Sequence, residues 1–265
     1  MPFRELLRGH PPDETVTAIA EETARHQGMT FGSVEVLNVD NWLSLPLVVN
    51  NAFFVKVLSQ RNALVQRLLT AGRNLGAAST GTGRFFRAFD TPAEMATHEF
   101  EATTEMIAAG VNAPEPLETF EHDDHGVVVF EYIPQFETLK TLTPTAVERL
   151  APQLFAMLSC LHDAGLAHGD LRAENVLVVG EELYFIDATR VDAGAAEDAR
   201  AYDLACALAA LEPHVGAATA VDAAAASYTE ETLLPARRYL EFVNVRPDHD
   251  FDVAELRRTL DTRGD

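Results

Sequence analysis

Lysine is nearly missing from this chain. Of 265 residues only Lys56 and Lys140 are lysines, so the other 18 basic residues are arginines, set against 41 acidic ones for a formal net charge of −21. An acidic excess of that size disfavours direct nucleic-acid binding and association with anionic membrane. Cysteine is almost as scarce: Cys160 and Cys206 stand in helix-like segments without His or Cys at metal-ligand spacing. A disulfide framework or zinc site is therefore not expected, and a reducing compartment fits. No run of eighteen or more apolar residues occurs, and Met1 to Met29 is polar and acid-rich, without the apolar centre of a signal peptide. The expectation is a soluble, cytoplasmic protein with no membrane partner.

What is there is ordinary in amount and unusual in kind. Hydrophobic residues make up 47% and charged residues 23%, enough for a folded core in one large domain or two small lobes. The lysine-poor, acid-rich profile suggests a high-salt cytoplasm, where screening removes the self-repulsion of the surface.

Along the chain the first half reads as β-rich. An amphipathic helix is expected from about Glu14 to Arg25, capped by Asp13. Strands follow at Ser33 to Val39, Leu45 to Asn50 and Phe53 to Leu58, the last two joined by the turn pair Asn50-Asn51. Residues 61 to 76 look helical, and 77 to 90, with Gly81-Thr82-Gly83, read as a loop. The next helix is well signed. Thr91 caps it, Pro92 takes the first helical position, Glu94 completes a capping box and Gly110 closes it. Strands are expected at Leu117 to Glu121 and Val127 to Ile133 around the polar turn His122 to Gly126. From Thr143 onward helices dominate: a short one from Pro144, another over Gln153 to Ala164, then Asp198 to Leu211, Asp222 to Ser227, Glu230 to Val243 and Val253 to Leu260. Two short strands, Val176 to Val179 and Leu183 to Ile186, interrupt them. This division implies two lobes with a hinge near Tyr132 to Phe136, and ligands favour such clefts.

The strongest chemical signal is His168-Gly169-Asp170-Leu171-Arg172-Ala173-Glu174-Asn175-Val176-Leu177-Val178, followed by Phe185-Ile186-Asp187. It places Asp170 and Asn175 on one loop and Asp187 after a short strand, a set of oxygen donors suited to a hydroxyl nucleophile and a Mg²⁺ ion. Phosphoryl transfer asks for positioning and charge neutralisation more than for covalent chemistry.

These residues resemble the protein-kinase-like superfamily, whose catalytic loop reads H-[RG]-D-L-x-x-x-N and whose metal aspartate follows it. The Gly169 variant is similar to the atypical branches: RIO kinases, the small KEOPS-complex kinase, and aminoglycoside or sugar phosphotransferases. The resemblance implies Asp170 as catalytic base, Asn175 and Asp187 as magnesium ligands, His168 as support of the loop, and Arg172 as the cation contacting the transferred phosphate. Phe53-Phe54-Val55-Lys56-Val57 resembles the strand whose lysine reaches the α- and β-phosphates of ATP. Glu99, in His98-Glu99-Phe100, matches the glutamate that pairs with it, ahead of Glu101 and Glu105. Val129-Phe130-Glu131-Tyr132-Ile133 resembles the hinge strand, whose backbone at Glu131 and Ile133 would hold adenine. Asp203 matches, more weakly, a residue tying down the catalytic loop.

The chain departs from the family pattern in several places. No G-x-G-x-x-G loop precedes Lys56, so phosphate contacts would come from amides around Asn38 to Pro46 and from Ser44 or Asn41. The metal aspartate is followed by Ala188-Thr189, no A-P-E segment occurs, and only 78 residues follow Asp187. A phosphorylation-gated activation loop is not expected. The fold expected is α+β: a bilobal protein-kinase-like fold with a helical extension at 1–28, a β-rich N-lobe at 29–133 and a short α-helical C-lobe at 134–265. The function expected is an ATP- and Mg²⁺-dependent phosphotransferase, a RIO-like atypical serine/threonine protein kinase in the first reading. A small-molecule kinase and an inactive nucleotide-binding scaffold are the alternatives, and the hydroxyl acceptor, protein or small molecule, stays open.

Overall fold

A computed structural model describes residues 11–37, 44–64, 89–187, 196–245 and 250–263. Expectations for the helix beyond residue 64, the loop to residue 88, and Asn41, Trp42, Ala188 and Thr189 lie outside the described residues. The chain divides into two compact units. The first takes the described residues of 1–72, 88–104 and 114–134, the second those of 105–113 and 135–265.

The first unit is built on an antiparallel five-stranded sheet of β1 (Val34–Val36), β2 (Leu45–Val49), β3 (Phe53–Leu58), β4 (Pro116–His122) and β5 (His125–Glu131), in the order β1-β2-β3-β5-β4. Asn50 and Asn51 both take left-handed φ, which asparagine tolerates, and so close the β2–β3 hairpin. The β4–β5 hairpin is tighter than the sequence suggests: His122 and His125 face each other as strand residues and only Asp123-Asp124 turn. Side chains alternate faces along a strand. Leu47, Val49, Val55, Val57, Val127 and Val129 therefore lie together, covered by Val16, Ile19, Ala20 and Ala24 of α1 (Asp13–His26). The opposite face carries Phe54, Leu58, Val128 and Phe130, and receives Met95, Ala96 and Phe100 of α2 (Pro92–Ala108).

Thr91 Oγ1 accepts the Glu94 N–H at 3.1 Å, as a cap should, but the Glu94 carboxylate reaches one residue further back, to the Asp90 N–H at 3.0 Å. Gly126 is the second residue of β5, where a Cβ would stand 2.2 Å from the Pro92 carbonyl oxygen. Only glycine lets the strand pass that close to the helix end.

The second unit is helical around α3 (Pro144–Asp163) and α4 (Ala196–Ala225), with α5 (Glu230–Leu233), α6 (Leu240–Asn244) and α7 (Val253–Arg263) packed about them. Its small sheet pairs β6 (Glu137–Thr138), β7 (Val176–Val179) and β8 (Glu182–Phe185) in that order. Three segments differ from the sequence reading. Two expected helices merge into α3, because Pro152 sits on its exposed face. Likewise α4 runs on past Leu211 and bends at Gly216, whose φ is 79°. Conversely, Glu230 to Val243 is not one helix. Pro235 lacks the N–H an α-helix needs there, and the chain tightens into a 3₁₀ segment over Leu234–Arg238.

By length and mean hydropathy α4 is apolar enough to cross a membrane, yet 61% of its apolar window is buried within the protein. Tyr202, Leu204 and Leu208 are fully buried core residues, so its apolarity is that of a core helix.

Candidate functional site

Lys56 follows from the two periodicities just described. It shares a strand face with Phe54 and Leu58, the face turned toward α2, and Glu99 lies one helical turn from Met95 and Ala96 on the facing side of that helix. The two side chains form a salt bridge with 6% and 18% of their surfaces exposed. The ammonium also lies 5.9 Å and 5.8 Å from the ring centroids of Phe54 and Phe130. A buried lysine without an anion would cost several kcal/mol, so the pair is what allows a cation on this face at all. Glu101 is exposed, one residue round the helix from the sheet.

At the neighbouring strand end the backbone amides are already paired within the unit. Glu131 N–H donates to the Glu115 carbonyl at 2.9 Å and Tyr132 N–H to the Ala52 carbonyl at 3.0 Å. Ile133 lies beyond β5 and outside these bonds. Ser44, 9% exposed, stands one residue before β2.

In the second unit the segment from His168 to Asn175 is held from beneath by a single carboxylate. Asp203, fully buried on α4, accepts the backbone N–H of His168 at 2.6 Å and of Gly169 at 2.8 Å. His162 Nε2 lies 3.2 Å from the same carboxylate, and Tyr228 Oη lies 2.8 Å from His162 Nδ1. Gly169 takes φ 75°, the left-handed region in which a larger residue is strained.

Above that clamp the functional side chains are fixed locally. Asn175 Nδ2 donates to the Asp170 carbonyl at 2.9 Å. Arg172 Nη2 donates to Asn175 Oδ1 at 3.3 Å, and its Nε stands 3.6 Å from Asp170 Oδ2. The guanidinium thus faces both candidate groups. Ile186 N–H donates to the Asn175 carbonyl at 3.0 Å, which sets Asp187, with φ 61°, beside the loop. Burial holds the His168 imidazole below the usual histidine range despite the Asp203, Asp170 and Asp187 carboxylates nearby. Its Nδ1 accepts the Asp170 N–H at 3.4 Å, its ring meets Phe185 edge to face, and Nε2 has no partner among the described residues.

The structure thus forms two groups, each within its own unit: Lys56 with Glu99, and Asp170, Arg172 and Asn175 with Asp187. Sequence reasoning missed His162 and Tyr228, which stand 41 residues before and 25 residues after Asp203 and carry no local spacing signal. Among the described residues no cluster of three or more His, Cys, Asp or Glu side chains forms a metal site. That leaves the hairpin residues His122, Asp123, Asp124 and His125 without one. His122 instead pairs with Glu22 at 2.7 Å, tying the hairpin to α1 and holding the Glu22 carboxyl below its usual range.

Residues 88–204 match the family model of the RIO domain. No curated protein matches the chain. Among solved structures, the Drosophila melanogaster PAN3 pseudokinase aligns with 88% of this chain at 15% identity and a TM-score of 0.39, and this chain spans 66% of its length. The Mycobacterium tuberculosis PknI kinase domain aligns at 14% identity and 0.42 over 90% of this chain and 98% of its own. Vaccinia related kinase 3 aligns at 13% and 0.38 over 88% and 86%. Likenesses of that size carry no assignment of activity or partner. The RIO-domain match runs from the Glu99 helix through the His168 loop to Asp203, 117 of the 265 residues.

Proposed function

We propose that this protein is an ATP-dependent phosphotransferase that moves the γ-phosphate to a hydroxyl, with a serine/threonine side chain of a protein as the acceptor. The observation that carries this reading is the loop from His168 to Asn175, lying inside the RIO match and anchored by Asp203. In this reading Asp170 accepts a hydrogen bond from the acceptor hydroxyl and takes its proton as the new P–O bond forms and the bond from the γ-phosphorus to the bridging oxygen breaks, releasing ADP. Arg172, beside both Asp170 and Asn175, offsets negative charge on the group in transit. Lys56, held by Glu99, contacts the α- and β-phosphates. Backbone groups at Glu131, the last residue of β5, and at Ile133 beyond it receive adenine, and Ser44 contacts phosphate.

The donor set fits magnesium. Asn175 Oδ1 and the Asp187 carboxylate are the hard oxygens that Mg²⁺ takes from a protein when phosphate and water complete its shell. Bound there, the ion would neutralise phosphate charge. The Asn175 amide nitrogen is committed to the Asp170 carbonyl, and its oxygen, which accepts Arg172 Nη2 at 3.3 Å, keeps a second lone pair for the ion.

A small-molecule hydroxyl as acceptor is the second reading. It is favoured by Gly169, which replaces the arginine of phosphorylation-gated protein kinases with a left-handed glycine.

Transfer of labelled γ-phosphate in molar KCl with Mg²⁺, adding lysate from a salt-loving cell, separates these readings. Label in protein supports the first and label in small molecules the second. Asp170→Asn should lower transfer about 10²–10⁴-fold while sparing ATP binding, and Asp187→Ala should weaken Mg-ATP binding. Full activity in Asp170→Asn overturns the mechanism. Nucleotide binding without any turnover would leave a scaffold.

A further inference from the structure

We propose that Tyr228 is a positioning residue for the His168–Asn175 loop, acting through the tautomer of His162. Asp203 is acceptor-only, so the His162 nitrogen facing it at 3.2 Å must carry a proton. In the neutral ring Nδ1 is then an acceptor, and the hydroxyl 2.8 Å from it is the Tyr228 phenol. That phenol is poised to donate. Burial, with the Asp203 and Asp163 carboxylates nearby, pushes its ionisation well above the usual phenol range and keeps it protonated. A single direction of hydrogen bonding results: Tyr228 to His162 Nδ1, His162 Nε2 to Asp203.

The end of this relay is the backbone of the loop. Asp203 Oδ2 receives both His162 and the His168 N–H, while Oδ1 receives the Gly169 N–H. With the His162 proton on Nε2, the carboxylate is fixed in the rotamer that serves both amides. With the proton on Nδ1, a lone pair would face the carboxylate at the same distance, and the clamp would be pushed off the loop. Tyr228 makes that second tautomer unfavourable, since its hydroxyl would lose its hydrogen bond into Nδ1 and have to turn its proton away from His162. The side chain reaches this point from the segment between α4 and α5, 58 residues after Asp170 in the chain, so an event at that surface segment is transmitted to the loop without touching ligand.

Calling the loop catalytic rests on the phosphotransfer reading; the tautomer and the clamp do not. The test uses full-length protein and its Tyr228→Phe variant, which keeps the ring. Imidazole ¹⁵N spectra should show His162 in the Nε2–H form alone in the parent and as a mixture in the variant. Amide hydrogen exchange at His168 and Gly169 should quicken about tenfold or more in the variant, with Val176 to Val179 unchanged. His162→Gln supplies a fixed amide N–H toward Asp203 with no tautomer to choose, so adding Tyr228→Phe in that background should leave exchange where it was. Unchanged tautomer or unchanged exchange in Tyr228→Phe overturns the proposal, as does a parent ring protonated on Nδ1 or on both nitrogens. If transfer activity exists, kcat falls in Tyr228→Phe while KM for ATP holds. If none is found, the phosphotransfer reading fails and the spectra still decide the relay.

Discussion

The two units solve the problem of holding a charge in a protein interior in opposite ways. In the sheet unit a buried cation, Lys56, meets a buried anion, Glu99, side chain to side chain. In the helical unit a buried anion, Asp203, is met among the described residues by two backbone amides and an imidazole rather than by a lysine or arginine. The first arrangement fixes one flexible side chain and leaves its backbone independent. The second fixes backbone, and with it every side chain the loop carries. A residue that must reach a ligand suits the first, and a set of residues that must keep mutual geometry suits the second.

Breaking each arrangement should show the difference. Asp203→Ala leaves two buried amides and His162 without their acceptor, each worth about 1–3 kcal/mol. The expected loss in urea unfolding at molar KCl is roughly 4 kcal/mol or more, and a loss below about 1 kcal/mol would mean the loop is held by packing alone. Glu99→Gln should cost about 3 kcal/mol, since Lys56 then keeps its charge inside the sheet unit with a weaker partner. Glu99→Gln together with Lys56→Met should recover much of that loss, because no charge is then left unpaired and the thioether side chain packs against Phe54 and Phe130.

The pH dependence sharpens the helical side of the comparison. His168 is held neutral by burial, with its folded pKa lowered below the ordinary value near 6.5. The unfolded chain therefore binds a proton the folded chain refuses. Stability from this source is full above about pH 6.5 and falls as pH drops below it, with a slope approaching about 1.4 kcal/mol per pH unit. Urea unfolding between pH 7.5 and 5 should show that slope in the parent, and His168→Asn should flatten it by one proton. The smallest effect is expected at the other lysine. Lys140 pairs with Glu174 at 2.6 Å, but 62% of its side chain is exposed, so Lys140→Met should change stability by about 0.5 kcal/mol or less.

Much of this was readable in the chain wherever the physics is local. The alternation of Phe54, Lys56 and Leu58, the Thr91-Pro92-Glu94 signature and the close spacing of Asp170, Arg172 and Asn175 are each contained in a few residues. The resemblance supplied what spacing could not, namely that Glu99 belongs opposite Lys56, 43 residues away. Elements failed where a breaker's exposure decides the outcome: Pro152 faces solvent and α3 continues, whereas Pro235 ends a helix. The contacts of His162 and Tyr228 stayed hidden because only the packing of α3 against α4 brings them together. No periodicity announces a tyrosine hydroxyl placed 2.8 Å from the ring nitrogen of a histidine 66 residues earlier.

The scarcity of lysine gives the molecule an unusual response to amine-reactive reagents. Of its two side-chain amines, Lys140 stands largely in solvent and Lys56 is sealed against Glu99. A dye or cross-linker aimed at side-chain amines would mark the first at once, at the 3₁₀ turn beside the loop that carries Glu174. It would reach the second only when β3 parts from α2. The rate at which Lys56 is acylated would then time the opening of that contact, and slower labelling with nucleotide present would report occupancy without any measurement of turnover.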